Sequence, residues 1–113
     1  MVELKSINFI NEYDIMDLTG KTADCFGFLC DADSNSYVPL ECGDEALARL
    51  WEDYEYELRH DEEYAETHIS DPDERAYFMA EESGSAYVMA HIKLVEALRA
   101  MGVRDEVLVY VSW

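Results

Sequence analysis

Apolar and polar positions alternate loosely from Val2 to Ile10, with Leu4, Ile7, Phe9 and Ile10 on the apolar side, and this spacing predicts a strand. Glu12 to Leu18 is ambiguous, and Thr19-Gly20-Lys21 has the composition of a turn. Ala23 to Cys30, with Cys25, Phe26, Phe28, Leu29 and Cys30 as its apolar positions, reads as a second strand. Asp31-Ala32-Asp33-Ser34-Asn35-Ser36 predicts a turn, because Asp, Asn and Ser side chains hydrogen-bond nearby backbone. Tyr37-Val38-Pro39-Leu40 is the expected return strand. Proline has no N–H to give to a ladder, so this strand must stop at Pro39 or lie at a sheet edge.

The period then changes. From Gly43-Asp44, with Asp44 as the expected N-cap, Leu47, Trp51, Tyr54 and Leu58 follow the spacing of one helical face. At ~100° per residue, Glu45, Glu52, Glu55, Glu62, Glu63 and Glu66 fall on the opposite side. The helix is expected to run to about Thr67, with a kink or early end near His60, because Asp61 projects towards the apolar side. Ser70-Asp71-Pro72-Asp73-Glu74 is a helix start: a capping Asp, Pro in the first turn and acids at the positive end of the dipole. That helix should cover Pro72 to Glu82 and stop at Ser83-Gly84. A further helix, Ser85 to Met101, is apolar around most of its circumference, as central helices are, and Gly102 ends it. Val107 to Val111 is a continuous apolar run that reads as a strand covered on both faces.

These elements predict an α+β fold: a small, mainly antiparallel sheet that includes the C-terminal strand, packed against two or three helices in one domain. The chain has 113 residues, which suits one core and is short for two. No stretch approaches the ~20 apolar residues of a membrane span. Met1 to Ser6 lacks a basic segment followed by an apolar run, so a cytoplasmic chain is expected. Cys25, Cys30 and Cys42 form no C-x-x-C pair and are then expected as reduced thiols.

Charge sharpens the picture. The 26 acidic residues outnumber the 8 basic ones, for a net charge of −18. Residues 41–74 alone carry 14 acids against 2 bases, net −12, whereas residues 75–113 carry 5 against 4. A charge coat of the halophile kind should be spread evenly, and this one is local. Nucleic-acid phosphates and anionic membranes both call for Lys and Arg, so the balance disfavours them as direct partners and favours a basic protein.

Like charges one turn apart destabilise a helix by a few tenths of a kcal/mol each, so the acidic face costs stability and invites a use. Carboxylates one helical turn apart lie ~6 Å apart along the axis, comparable with phosphates along a nucleic-acid strand. A rigid carboxylate row can therefore occupy a groove built for a phosphate backbone. This physical strategy is shared by the phosphate-mimicking inhibitors that phages and plasmids use against restriction and CRISPR nucleases. The expected function is a non-enzymatic inhibitor of that anti-restriction or anti-CRISPR type. Glu45, Glu52, Glu55, Glu62, Glu63 and Glu66 would be its partner-binding residues, with Tyr56 and Tyr64 as aromatic anchors, and no cofactor is expected. The first alternative is an interaction or immunity-type protein that neutralises a basic partner unrelated to nucleic acid.

The second alternative is a small metal-dependent enzyme. Glu57-Leu58-Arg59-His60 has the E-x-x-H spacing of di-iron helices, and Asp53 shares its flank, but a di-iron site needs a second copy and the chain has none. Asp31, Asp33 and Asn35 match the first ligand positions of a calcium loop, yet Ser36 stands where that loop needs glycine and Cys42 where it needs Glu. The chain contains no G-x-S-x-G, no Walker loop and no G-x-G-x-x-G.

Overall fold

The computed structural model describes residues 9–112. Ten short and long segments follow in order: β1 (Phe9–Asn11), α1 (Glu12–Thr19), a 3₁₀ turn (Ala23–Cys25), α2 (Gly27–Cys30), β2 (Ser36–Glu41), α3 (Asp44–His68), α4 (Pro72–Tyr77), a π-helical turn (Phe78–Glu82), α5 (Gly84–Ala100) and β3 (Glu106–Val111). The class is α+β. The sheet has the order β1-β3-β2, with β2 antiparallel to β3 over six residue pairs and β1 parallel to it over three. Among the described residues five α-helices accompany it instead of two or three. The strand expected from Val2 is described only from Phe9 on, and residues 2–8 lie outside the described residues.

The ambiguous stretch after Ile10 is helical because its ends are capped. The Asn11 side chain accepts from the Asp14 N–H at 3.0 Å, and Asp14 accepts from the Asn11 N–H at 2.9 Å. Gly20, at φ 74°, closes α1 in the left-handed region that glycine enters without strain. Glu12 ties the start of α1 to the chain beyond β3 by accepting from the Ser112 N–H at 2.6 Å.

The strand expected over Ala23–Cys30 is absent. That segment is a 3₁₀ turn followed by α2. Its buried residues are Ala23, Phe26 and Leu29, three apart, which is a helical repeat. The apolar neighbours Cys25, Phe28 and Cys30 obscured it by being only partly buried or exposed.

The core joins α5 to the inner face of the sheet. Ala90, Leu94, Val95 and Leu98 of α5 share one buried cluster with Val107, Val109 and Val111 of β3, Leu40 of β2, Ile15 of α1, and Phe26 and Leu29. β3 is covered on one face, not two. Val107, Val109 and Val111 are fully buried, while Leu108 on the other side is 37% exposed. The register aligns Phe9, Leu108 and Pro39 across the open face, and Tyr37 with Tyr110 beside them. Tyr110 is held there by the Tyr37 ring at 5.1 Å and by donating its hydroxyl to Asn35 Oδ1 at 2.8 Å. Pro39 occupies an edge strand, as its missing donor requires.

α3 runs unbroken through His60, and Asp61 explains why no kink is needed. Its carboxylate accepts from the Ser85 N–H at 2.8 Å, so it satisfies an orphan donor at the start of α5, where Ser83 also caps by accepting from Ala86 at 3.1 Å. Asp44 is the first residue of α3, not its cap; Gly43 holds the cap position without a side-chain bond. The Asp44 carboxylate instead receives Arg99 Nη2 at 2.6 Å, while Arg99 Nη1 donates to the Cys42 carbonyl at 2.7 Å. Gly102, at φ 100°, turns the chain out of α5 towards β3.

Two predictions follow from this packing. Asp61→Ala leaves the Ser85 N–H without its acceptor and should lower stability by about 1–2 kcal/mol in chemical denaturation. Asp61→Asn, which keeps an oxygen acceptor, should lose much less. The three cysteines are free thiols: Cys30 exposed, Cys25 half-buried and Cys42 fully buried. Burial pushes the Cys42 thiol up to about 11, against an opposing pull from the Arg99 charge. A thiol reagent at pH 8 should therefore label Cys30 first and reach Cys42 only on unfolding, and denatured protein should titrate three thiols.

Candidate partner-binding face

The site begins with a local conflict between charge and packing. α3 has 25 residues, about 37 Å of helix, yet Ala65 is its single buried residue. Leu47 and Leu50 pack partly against the core, and the inner side of α3 lies along α5. Trp51, expected on the apolar side, is 39% exposed and packs its edge on Tyr54 at 5.8 Å. The helix is therefore attached along one narrow stripe and projects most of its circumference into solvent.

Every glutamate of the expected row is on that exposed circumference: Glu45, Glu52, Glu55, Glu62, Glu63 and Glu66. At ~100° per residue they form two adjacent lanes, Glu45, Glu52 and Glu63 in one and Glu55, Glu62 and Glu66 in the other. Glu45 and Glu66 are about 31 Å apart along the axis. Ion pairs among the described residues join Lys21 to Glu81 and Arg99 to Asp44, so none neutralises a carboxylate of the row. Arg59, a base on the same helix, is exposed and takes part in neither.

Tyr56 and Tyr64 are 61% and 48% exposed; at ~100° per residue Tyr56 adjoins the lane of Glu45, Glu52 and Glu63, and Tyr64 lies further round the helix. Each carries an imidazole one turn further on. His60 lies 4.3 Å from Tyr56, and His68 is stacked on Tyr64 at 4.4 Å. His60 Nδ1 is 2.9 Å from the Tyr56 carbonyl, which fixes the ring against the helix. Tyr64 also meets Phe78 at 5.3 Å, which joins this margin to the π turn. Glu62 and Glu66 face a recess of about 400 Å³ shared with Arg75 and Met79. The acidic surface continues past the start of α3 onto the sheet, where Glu41 borders a recess with Glu45. There Glu41 and Glu106 are directly opposed across the strands, and a hydrogen bond between them raises the Glu41 pKa above the ordinary carboxylate value, with added contributions from burial and from Asp105.

The Asp53, Glu57 and His60 flank is not brought together as a ligand set. The Glu57 carboxylate lies against Gly84, where a Cβ would come within 2.6 Å of its Oε2, so it borders the start of α5 as Asp61 does. His60 turns to Tyr56, and Asp53 bears on His91 of α5. Among the described residues no group of three or more His, Cys, Asp or Glu side chains is placed to hold a metal ion. Nor is any described helix long and apolar enough to cross a membrane.

One feature escaped the sequence reading. A cleft of about 490 Å³ lies between α3, the π turn and α5, with Tyr54 and Leu58 on one side and Met79 and Met89 on the other. Lys21 and Lys93 both reach it. They are 72 positions apart, and the π turn that forms one wall breaks a helix that the sequence pattern draws as continuous, so no local signal announces it. In comparisons with protein-family models, curated proteins and solved structures, the chain matches none of them.

His91 supplies a pH test of this region. Its ring stacks on Phe28 at 4.5 Å, and burial lowers its pKa below 6.5 despite the opposing pull of Asp53. The unfolded state then binds the proton more readily, so the stabilisation is full above about pH 6.5 and is lost as pH falls towards the folded-state pKa. The melting-temperature difference between the protein and a His91→Phe variant should shift in favour of the variant as pH drops from about 7.5 to 5.5.

Proposed function

We propose that this chain is a non-enzymatic inhibitor that lays the acidic face of α3 into the basic nucleic-acid groove of a partner protein. The observation that carries the reading is a continuous helix on which Glu45, Glu52, Glu55, Glu62, Glu63 and Glu66 are exposed and form no ion pair with a cation of the described residues. A solvated face kept only for solubility gains from any arrangement of acids. A mimic needs a rigid row, and this row is on a single unbroken helix tied down by Asp61 and by the Arg99–Asp44 pair. Exposed carboxylates without intramolecular partners also retain their full field for a basic groove, which raises the association rate. Tyr56 at the margin of the row, and Tyr64 further round the same helix, supply rigid apolar surface, the kind of residue that anchors protein interfaces. A basic partner unrelated to nucleic acid would use the same face, and the two readings part on competition.

The test begins with partners recovered by affinity purification. Changing Glu52, Glu55, Glu62 and Glu66 together to Gln should leave the fold intact or slightly firmer, because Glu52/Glu55 and Glu62/Glu66 repulsion is relieved. Binding should weaken severely, mainly through the association rate, and the deficit should shrink as salt rises, since exposed charges are screened beyond ~8–10 Å at physiological ionic strength. Nucleic acid should displace the chain from the partner. Salt-dependent binding without such displacement moves the reading to a basic partner of another kind. Full binding by the quadruple variant at low salt removes both.

A further inference from the structure

The cleft between α3, the π turn and α5 collects the chain's rarest charge. The sequence has only three lysines, and the two among the described residues, Lys21 and Lys93, both border this one cleft. Lys93 takes part in no ion pair among the described residues, although acids outnumber bases more than threefold. Lys21 meets Glu81 at 3.8 Å, a long contact between side chains that are 36% and 52% exposed. Such a pair holds weakly and yields readily to a competing anion. The cleft walls are hydrocarbon and thioether, from Leu58, Met79 and Met89, and methionine adapts to irregular apolar shapes. The volume, about 490 Å³, is that of small-molecule sites. Met79 and Glu81 stand on a π turn, a conformation held by well under 1% of residues and frequent at functional sites.

The geometry points to this cleft as a binding site for a straight-chain carboxylate. The hydrocarbon lies against Leu58, Met79 and Met89, and the carboxylate meets Lys93 with Lys21 as a second donor. Charge selects the class. A chain of net −18 repels a polyanion from every side, whereas a single carboxylate on an apolar tail is repelled least and is attracted locally by the two ammonium groups. A cationic or neutral tail would gain nothing from the lysines. The site is independent of the acidic face of α3 and stands or falls separately from it.

Dodecanoate below its micellar concentration is the probe. Trp51 packs on Tyr54, and Tyr54 lines the cleft, so Trp51 fluorescence in a Trp113→Phe background reports entry. The expected result is saturable binding at one equivalent. Lys21→Gln with Lys93→Gln should weaken it about tenfold. Arg59→Gln removes a single positive charge from the outer side of α3, away from the cleft, and should leave it unchanged. Glu81→Gln removes the competing carboxylate and should tighten binding about threefold. Dodecanol should bind more weakly and ignore the lysine changes. The proposal is overturned if dodecanoate does not saturate, if several equivalents bind with loss of helical signal, or if the double lysine variant and Arg59→Gln behave alike.

Discussion

Burial of α5 against the inner face of β3 is the interaction on which the rest of the molecule depends. Leu94, Val95 and Leu98 from the helix and Val107, Val109 and Val111 from the strand are each fully buried in the same cluster. At ~1.5–3 kcal/mol for each buried branched side chain, this seam supplies a large share of the favourable free energy available to a small domain. The long acidic helix is placed away from it. α1, α2 and β2 close the cluster from the sides, and α3 attaches to α5 from outside, so its charge is carried on a helix that contributes little to the core.

That division allows a highly acidic segment to persist in a stable fold. Repulsion along α3 opposes the helix itself, but the helix is held by contacts at its inner stripe and by polar ties at two places. Arg99 joins its first turn to the end of β2 through the Cys42 carbonyl, and Asp61 joins its second half to the start of α5. Both ties use an acid of α3 to satisfy a donor elsewhere. The acids that remain on the outer side are free of such duties, and this separates structural from surface carboxylates more sharply than composition can.

The long periodic segments were legible in the sequence. β2, α3, α5 and β3 follow from apolar spacing, and the exposure of Glu45, Glu52, Glu55, Glu62, Glu63 and Glu66 follows from the angle between them and Leu47, Tyr54 and Leu58. What failed shares one cause: information that resides in a distant partner. Ala23–Cys30 has strand-like composition, and only packing shows that Ala23, Phe26 and Leu29 are its inward positions. Asp61 looked like a break because its acceptor role needs Ser85, 24 residues away. β3 looked doubly covered because its sequence does not say that the outer face, with Leu108, is left open. The π turn keeps the apolar pattern of an α-helix and differs from it by backbone register alone.

The two edges of the sheet bear on how the protein behaves in concentrated solution. One edge, β1, has three residues in the ladder, and the other, β2, carries Pro39 in its middle. Among the described residues neither offers a long uninterrupted row of N–H donors for a neighbouring chain to extend, which is how natural sheets resist edge-to-edge growth. This protection is steric and covalent, so it outlasts the electrostatic one. Acidification or high salt, which strips an acidic protein of its mutual repulsion, leaves the backbone block against fibrillar assembly in place.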